Sequence, residues 1–331
     1  MSLPTRMGLS LPVFQDLHKT VEMAKWGEDN GYEGLWIADS GDLDALTVSA
    51  VLATHTSRVR IGTAVVPVYP RTPAGLASIT TTISQLAPGR FILGLGSSSH
   101  LMIDGWHGIP FEKPLSRVKE TTQVLRGMLN GEKVSFTGRT LRSKGYRLAP
   151  PLQAPVPIYL AALLPRMLEM AGEFGDGVVL NLFPLSALPK MMEHIAIGAQ
   201  RAGKKMEDLE IVCRHQVWVT GDPAAARALV RKRFAPYYAT PVYNNFLAWF
   251  GYPDKAQTLT EGWREKDRDK TEGALDDELV EQIAVIGDAE KCREEIRAFV
   301  AAGITTPVIA CIAPDPQEYR DTVEAFLPDK F

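Results

Sequence analysis

With 331 residues, 45% of them hydrophobic and 23% charged, the chain carries enough apolar material for a large core and none of the bias of disordered or fibrous sequences. A formal net charge of −3 from 36 basic and 39 acidic residues leaves no electrostatic footprint for nucleic acid or an anionic membrane surface, and neither partner is expected. The opening Met1-Ser2-Leu3-Pro4-Thr5-Arg6 lacks a signal-peptide core, and no stretch approaches ~20 uninterrupted apolar residues, which predicts a cytoplasmic protein.

Eight short apolar runs then follow one another: Met7–Leu11, Gly34–Ala38, Arg60–Val66, Phe91–Gly96, Pro157–Leu163, Gly177–Phe183, Leu209–Val219 and Thr306–Ile312. Strands buried on both faces read this way. The spacers are helix-length and periodic. Phe14, Leu17, Val21 and Ala24 share one face, Met167, Met170, Ala171 and Phe174 another, and Cys292, Ile296, Phe299 and Val300 a third. Thr72 before Pro73 and Asp222 before Pro223 predict helix starts, while Gly31, Gly175 and Gly303 predict helix ends. Strand and helix alternating eight times predict an α/β fold, and the count favours a (β/α)8 TIM barrel, one domain over residues 1–331, above an open doubly wound sheet. No G-x-G-x-x-G follows the first run, where the chain reads Pro12-Val13-Phe14-Gln15-Asp16, which argues against Rossmann-type dinucleotide binding.

Two intervals exceed one βα unit and predict insertions after strands four and seven, at about 133–153 and about 238–277. The first holds Thr137-Gly138 between Val134-Ser135-Phe136 and Thr140-Leu141-Arg142, a hairpin pattern. The second mixes Tyr243, Phe246, Trp249, Phe250 and Tyr252 with a charged stretch, 261–270, and suits a lid or an oligomer contact over the active-site face. Cys213, Cys292 and Cys311 lack CxxC spacing and read as buried, reduced thiols.

Barrel chemistry assembles at C-terminal strand ends, so those ends supply the candidates. Strand two ends in Ala38-Asp39-Ser40, where the acid is either a site residue or the N-cap of the next helix. Strand three passes through Thr63-Ala64-Val65, small enough for a flat ring to approach the backbone. Strand four breaks from Phe91-Ile92-Leu93-Gly94-Leu95-Gly96 into Ser97-Ser98-Ser99-His100. Strand five ends in Ala162-Leu163-Leu164-Pro165, whose backbone N–H groups at a helix start suit a phosphate. The six histidines show no HxH or HExxH spacing, so no metal site is expected, and no G-x-S-x-G elbow or Walker sequence occurs.

Three stretches, Gly34-Leu35-Trp36-Ile37-Ala38-Asp39, Arg58-Val59-Arg60-Ile61-Gly62-Thr63-Ala64-Val65 and Ser84-Gln85-Leu86-Ala87-Pro88-Gly89-Arg90 running into strand four, together with Ala171-Gly172-Glu173-Phe174-Gly175-Asp176-Gly177-Val178, resemble the luciferase-like flavin monooxygenase superfamily. The resemblance is greatest to its branch of oxidoreductases dependent on the deazaflavin coenzyme F420. It implies that Asp39 meets the edge of the tricyclic ring, that Ala64 and Val65 form a bulge, often with a cis peptide, behind it, that Gly96, Ser97 and Ser98 touch the ring or its ribityl chain, and that Ala162, Leu163 and Leu164 receive the phosphate. A deazaflavin passes hydride and does not activate dioxygen, so a proton donor is also needed. His100 is the first candidate, with Asp39 the other catalytic candidate and His215 behind them; Trp106 and His107 would wall the pocket. Sugar-phosphate dehydrogenases of this branch hold a histidine where Ser40 stands and a glutamate where Ser99 stands, which makes that reaction unexpected here. The implied protein is a homodimeric oxidoreductase transferring hydride between F420 and a small organic substrate. The alternative is an FMN-dependent monooxygenase fed reduced flavin by a partner reductase.

Overall fold

The computed structural model describes residues 6–12, 16–149 and 152–331. Eight parallel strands form a closed ring: β1 (Gly8–Ser10), β2 (Gly34–Ile37), β3 (Arg60–Thr63), β4 (Phe91–Gly96), β5 (Ile158–Ala161), β6 (Gly177–Asn181), β7 (Glu210–Val219) and β8 (Thr306–Cys311), with β8 paired to β1. Each falls within one of the eight apolar runs. The (β/α)8 barrel expected from the alternation is the fold of the chain. Among the described residues, no helix is long and apolar enough to cross a membrane.

Helices cover the outside of the ring. α1 (Leu17–Asp29), α2 (Ala45–His55), α3 (Pro73–Leu86), α4 (Pro114–Leu129), α5 (Pro165–Phe174), α6 (Leu188–Arg201) and α7 (Pro223–Tyr238) precede the long insertion, while α12 (Ala289–Ala301) and α13 (Pro316–Glu324) follow it. The side chain of Thr72 accepts from Gly75 N–H at the start of α3, and Asp222 accepts from Ala225 N–H at the start of α7. Gly31 and Gly303 end helices with φ of 87° and 117°. Gly175 ends α5 differently, with φ −85°; a Cβ there would stand 2.7 Å from both the Ala171 and Gly177 carbonyl oxygens, so crowding and not handedness requires the glycine. Phe14, placed with Leu17, Val21 and Ala24 by periodicity, lies outside the described residues.

The first insertion is a hairpin, Val134–Thr137 against Arg142–Tyr146, tied to α4 where Glu120 accepts from Arg139 N–H and Thr140 N–H; residues 150 and 151 of that interval lie outside the described residues. The second holds three helices, α8 (Pro241–Phe250), α9 (Pro253–Glu265) and α10 (Arg268–Gly273), and the helical stretch runs on past the expected boundary at 277 into α11 (Asp277–Ile283). A further parallel strand, Ala284–Gly287, pairs with the upper half of β7 at Gln216–Val219, while the lower half, Glu210–Arg214, pairs with β6. The count of eight runs passes over this strand because four residues directly after a helix leave no separate apolar run.

The lumen is filled by Trp36, Ile92, Tyr159, Val179, Val212 and Val308, with Ala64 and Val65 lying on them. Trp36 is fully buried, and its indole occupies room that Gly8, Gly34 and Gly62 leave open: a Cβ on these would come within 2.8, 2.9 and 2.5 Å of it. Below this plug, at the N-terminal strand ends, Glu210 accepts from Arg60 Nη2 at 2.6 Å, Arg60 Nη1 at 2.9 Å, Arg6 Nη1 at 3.2 Å and Tyr159 OH at 2.7 Å, and also from Thr306. Burial alone would raise the Glu210 carboxyl, but hydrogen bonds and charge from Arg60, then hydrogen bonds from Thr306 and Tyr159, hold it at about 2. A carboxyl lowered on folding stabilises the fold above its ordinary value near 4.5 and loses that contribution as pH falls toward 2. Glu210→Gln leaves a guanidinium cluster without its counter-charge and should cost about 3 kcal/mol in urea unfolding at neutral pH. The deficit relative to the wild type should shrink in melts between pH 4.5 and pH 3; a deficit independent of pH would show that Glu210 acts by packing alone.

Candidate functional site

At the C-terminal strand ends the floor is set by an irregularity in the third strand. After Thr63 the chain passes through a cis peptide between Ala64 and Val65 and rejoins the sheet at Val66–Pro67. Between Gly62↔Ile92 and Val66↔Leu95, four steps of this strand span three of β4, a β-bulge. The glycines of β4 make it possible. A Cβ on Gly94 would fall 1.9 Å from the Thr63 carbonyl oxygen, and one on Gly96 would fall 2.7 Å from Val65 Cγ2. Gly94 and Thr63 are further locked by Gly94 N–H donating to Thr63 Oγ1 at 2.9 Å, and by Thr63 Oγ1 donating back at 3.0 Å. Ala64 and Val65 are only partly buried, and form a small apolar platform above the lumen plug.

Asp39 stands at the edge of this platform. The N-cap of α2 is Asp44, which accepts from Thr47 N–H at 2.7 Å, so capping does not account for Asp39. Arg71 Nη2 lies 2.7 Å from Asp39 Oδ2 and also contacts Asp44. The two form an ion pair, although its angle falls short of an aligned hydrogen bond at Asp39 Oδ2 among the described residues. Burial pushes the Asp39 carboxyl above its ordinary range; the Arg71 charge pulls it down, and neighbouring Asp44 pushes it up again.

The loop after β4 turns back over this corner. Ser98 holds a left-handed φ of 63°. Met102 N–H donates to Ser99 Oγ at 3.3 Å and Ile103 N–H to the Ser99 carbonyl at 3.0 Å, so Ser99 starts a π-helical segment, Leu101–Trp106. Trp106 crosses Gly41, at φ 100°, where a Cβ would meet its ring at 2.6 Å, and His107 is near enough for its charge to act on Asp39. Trp106 thus lies over the loop that follows β2. His100 sits at the start of the segment, mostly exposed, with Nε2 3.8 Å from Asp104 Oδ2 and its ring edge-on to Phe111. At the end of β5, Ala162 N–H donates to the Val179 carbonyl at 3.2 Å, so that group is not free for a ligand. The N–H groups of Leu163 and Leu164 make no backbone bond of this kind, and α5 begins at Pro165 without a side-chain cap.

The opposite wall was not foreseen. Residues on β7 alternate, with Val212 in the lumen and Arg214 paired across the sheet with lumen-facing Val308. Arg214 therefore points inward, where its Nε donates to Ser10 Oγ at 3.0 Å on β1, two strands away. Gln216 Nε2 donates to Asn181 Oδ1 at 3.1 Å, and Asn181 Nδ2 donates to Tyr243 OH at 3.4 Å, which brings α8 of the long insertion to the mouth. His215 points the other way, packed edge-on against Phe299 of α12 at 4.6 Å between ring centres. Its burial drives its pKa down to about 3, and a neutral imidazole outside the ring cannot serve as the proton donor. The signal that finds Arg214 is parity: in Arg214-His215-Gln216 the outer two share the side of Val212.

A family profile described as luciferase-like monooxygenase matches residues 1–306. The chain belongs to this family. It is 30% identical to a Mycobacterium tuberculosis protein inferred to be a coenzyme F420-dependent oxidoreductase, over 97% of this chain and 99% of that one. It is 29% identical to the 5,10-methylenetetrahydromethanopterin reductase of Methanolobus tindarius, over 87% of this chain and 88% of that one. Among solved structures, the F420-dependent tetrahydromethanopterin reductase of Methanopyrus kandleri superposes with a TM-score of 0.83 at 23% identity, covering 99% of this chain and all of the other. An F420-dependent secondary alcohol dehydrogenase superposes with a TM-score of 0.78 at 20% identity and the same coverage. These two likenesses establish the fold of this luciferase-like family member, and its site is read from its own residues.

An acid raised by folding makes the native state bind protons more readily than the unfolded chain, so its net contribution falls as pH rises through the acid range. Asp39→Asn should therefore raise the melting temperature at pH 7, with the gain vanishing below about pH 4. Equal or lower melting temperature at pH 7 would mean that Arg71 more than offsets the burial of Asp39.

Proposed function

We propose that this protein is an oxidoreductase that moves a hydride between coenzyme F420 and a small organic substrate. The observation that carries this reading is the pairing of a largely buried Asp39 carboxylate, held by Arg71, with the apolar Ala64–Val65 platform beside it. Such a corner suits a flat heterocycle with N–H groups along one edge. The F420-dependent name of the Mycobacterium tuberculosis relative, matched over nearly its whole length, supports the choice of coenzyme.

When bound, F420 supplies a ring carbon that gives or takes hydride. The protein's share is positional. Ala64 and Val65 back the ring, Asp39 accepts from its edge while Arg71 holds the carboxylate charged, and Gly96, Ser97 and Ser98 line one side. Leu163 and Leu164 turn their backbone N–H groups to the phosphate at the start of α5, where the helix dipole favours an anion. Ala162 contributes to that turn by shape alone, because its own N–H is engaged. Trp106 and His107 exclude water above Asp39. His100, on the rim and in contact with solvent, would give or take the proton that balances hydride transfer, according to its direction.

Fluorescence titration of the purified protein with F420 and with FMN tests the coenzyme directly: micromolar or tighter F420 binding is expected, and FMN binding without F420 binding would replace this reading with a flavin monooxygenase. Asp39→Ala and Leu163→Glu should each weaken F420 binding about tenfold or more, by loss of a charge-assisted hydrogen bond and by charge repulsion respectively. His100→Asn should lower kcat about 100-fold while leaving F420 affinity unchanged. An unchanged kcat would remove His100 from the reaction.

A further inference from the structure

Arg214 presents a problem that the coenzyme reading leaves unsolved. Its guanidinium is drawn into the barrel mouth, and burial, reinforced by the like charge of Arg233, pulls its pKa below the ordinary value. Arginines in such places are normally paired with carboxylates, because an uncompensated buried charge is costly. At the other end of the same lumen Arg60 and Arg6 meet that requirement through Glu210. Arg214 does not: no Asp or Glu lies within ion-pair distance among the described residues, and Ser10 Oγ is the one side-chain acceptor its hydrogen bonding shows, taken by Nε. The two terminal nitrogens remain for a ligand.

The position separates this group from the coenzyme contacts. Asp39, Ala64, Val65, Gly96 and Leu163 belong to the ends of strands two to five, whereas Arg214 lies on β7, opposite the third strand in the ring, beside Asn181 and Gln216. A molecule lying on the Ala64–Val65 platform would have its free face toward this wall. Tyr243, from α8, adds a hydroxyl but no negative charge.

We propose that Arg214 is the receptor for an anionic group of the substrate, most simply a carboxylate, so that this protein prefers organic acids to their neutral esters. The inference rests on the oxidoreductase reading for the word substrate; the anion site itself does not. The planar fork of the guanidinium takes a carboxylate through its two terminal nitrogens while Ser10 fixes the third, and Asn181 and Gln216 complete a polar wall beside it.

Calorimetric titration of the full-length protein, with and without F420, compares 4-oxopentanoate and 3-benzoylacrylate with their methyl esters. The acids should bind at least about tenfold more tightly than the esters. Arg214→Met should abolish that preference while leaving ester binding and F420 affinity in place, and Arg214→Lys should retain part of it. Absence of an acid preference in the wild type overturns the proposal, as does a fall in F420 affinity in Arg214→Met matching the loss of acid binding, which would assign the arginine to the coenzyme. If Arg214→Met does not fold, Arg214→Lys and Ser10→Ala decide on the same two readouts: an unchanged acid preference in both overturns the proposal. Acid preference without F420 binding by the wild type would leave the anion site standing and remove the coenzyme reading.

Discussion

The indole of Trp36 inside the barrel is the contact on which the rest depends. A ring of eight short strands encloses a space that must be filled by side chains. Here one large group does most of that work, because Gly8, Gly34 and Gly62 vacate the neighbouring inward positions. Filling the lumen at the level of Trp36 sets the height of everything above it: Ala64 and Val65 rest on the plug, and the strand carrying them has to bulge to do so. Gly94 and Gly96 on β4 then yield to the Thr63 carbonyl and to Val65. Five glycines on four strands thus belong to one packing arrangement, which ends in a small apolar platform open to ligands.

The two ends of this lumen treat charge in opposite ways. Below the plug, Glu210 gathers two arginines, a tyrosine and a threonine, and its charge is fully met. Above it, Asp39 has a partner that is close but not aligned, and Arg214 has no acidic partner among the described residues. Charge is fully met below; above, Asp39 keeps one ion pair with Arg71 and Arg214 has none, which fits a fold that divides stability and function between its two ends.

Much of this was legible in the sequence because parallel strands covered on both faces are continuous apolar runs, and all eight runs contain a strand of the ring. The breaks in the pattern were harder to read. By composition Thr63-Ala64-Val65-Val66 looks like uninterrupted strand, since a bulge changes partners and not composition; the family resemblance alone marked the bulge and cis peptide that stand there. Ala284–Gly287 follows α11 without a polar interval. In the site, Asp39 and Asp44 are both plausible caps by type, and only the hydrogen bond to Thr47 N–H assigns the role. Arg71 was invisible as a partner because the pairing crosses from one loop to another. His215 drew attention through the chemistry of imidazole, yet the alternation of β7 turns it outward toward Phe299 and turns Arg214 and Gln216 inward. The periodicity that located the strand also held that information, residue by residue.

The hydrogen bond between Asn181 and Tyr243 joins the mouth to the insertion that follows β7. The wall facing the strand-two to strand-five corner is therefore assembled almost wholly from the later part of the chain, from Asn181 onward, with Ser10 the one early contributor. Tyr243 thus places a residue of the insertion in this wall, on the side of the mouth away from Asp39, the bulge and the turn at Leu163. Changes in the insertion therefore reach the barrel mouth through Tyr243 on the β6 and β7 side, which makes α8 the natural place to vary when the shape of that side alone is to be altered.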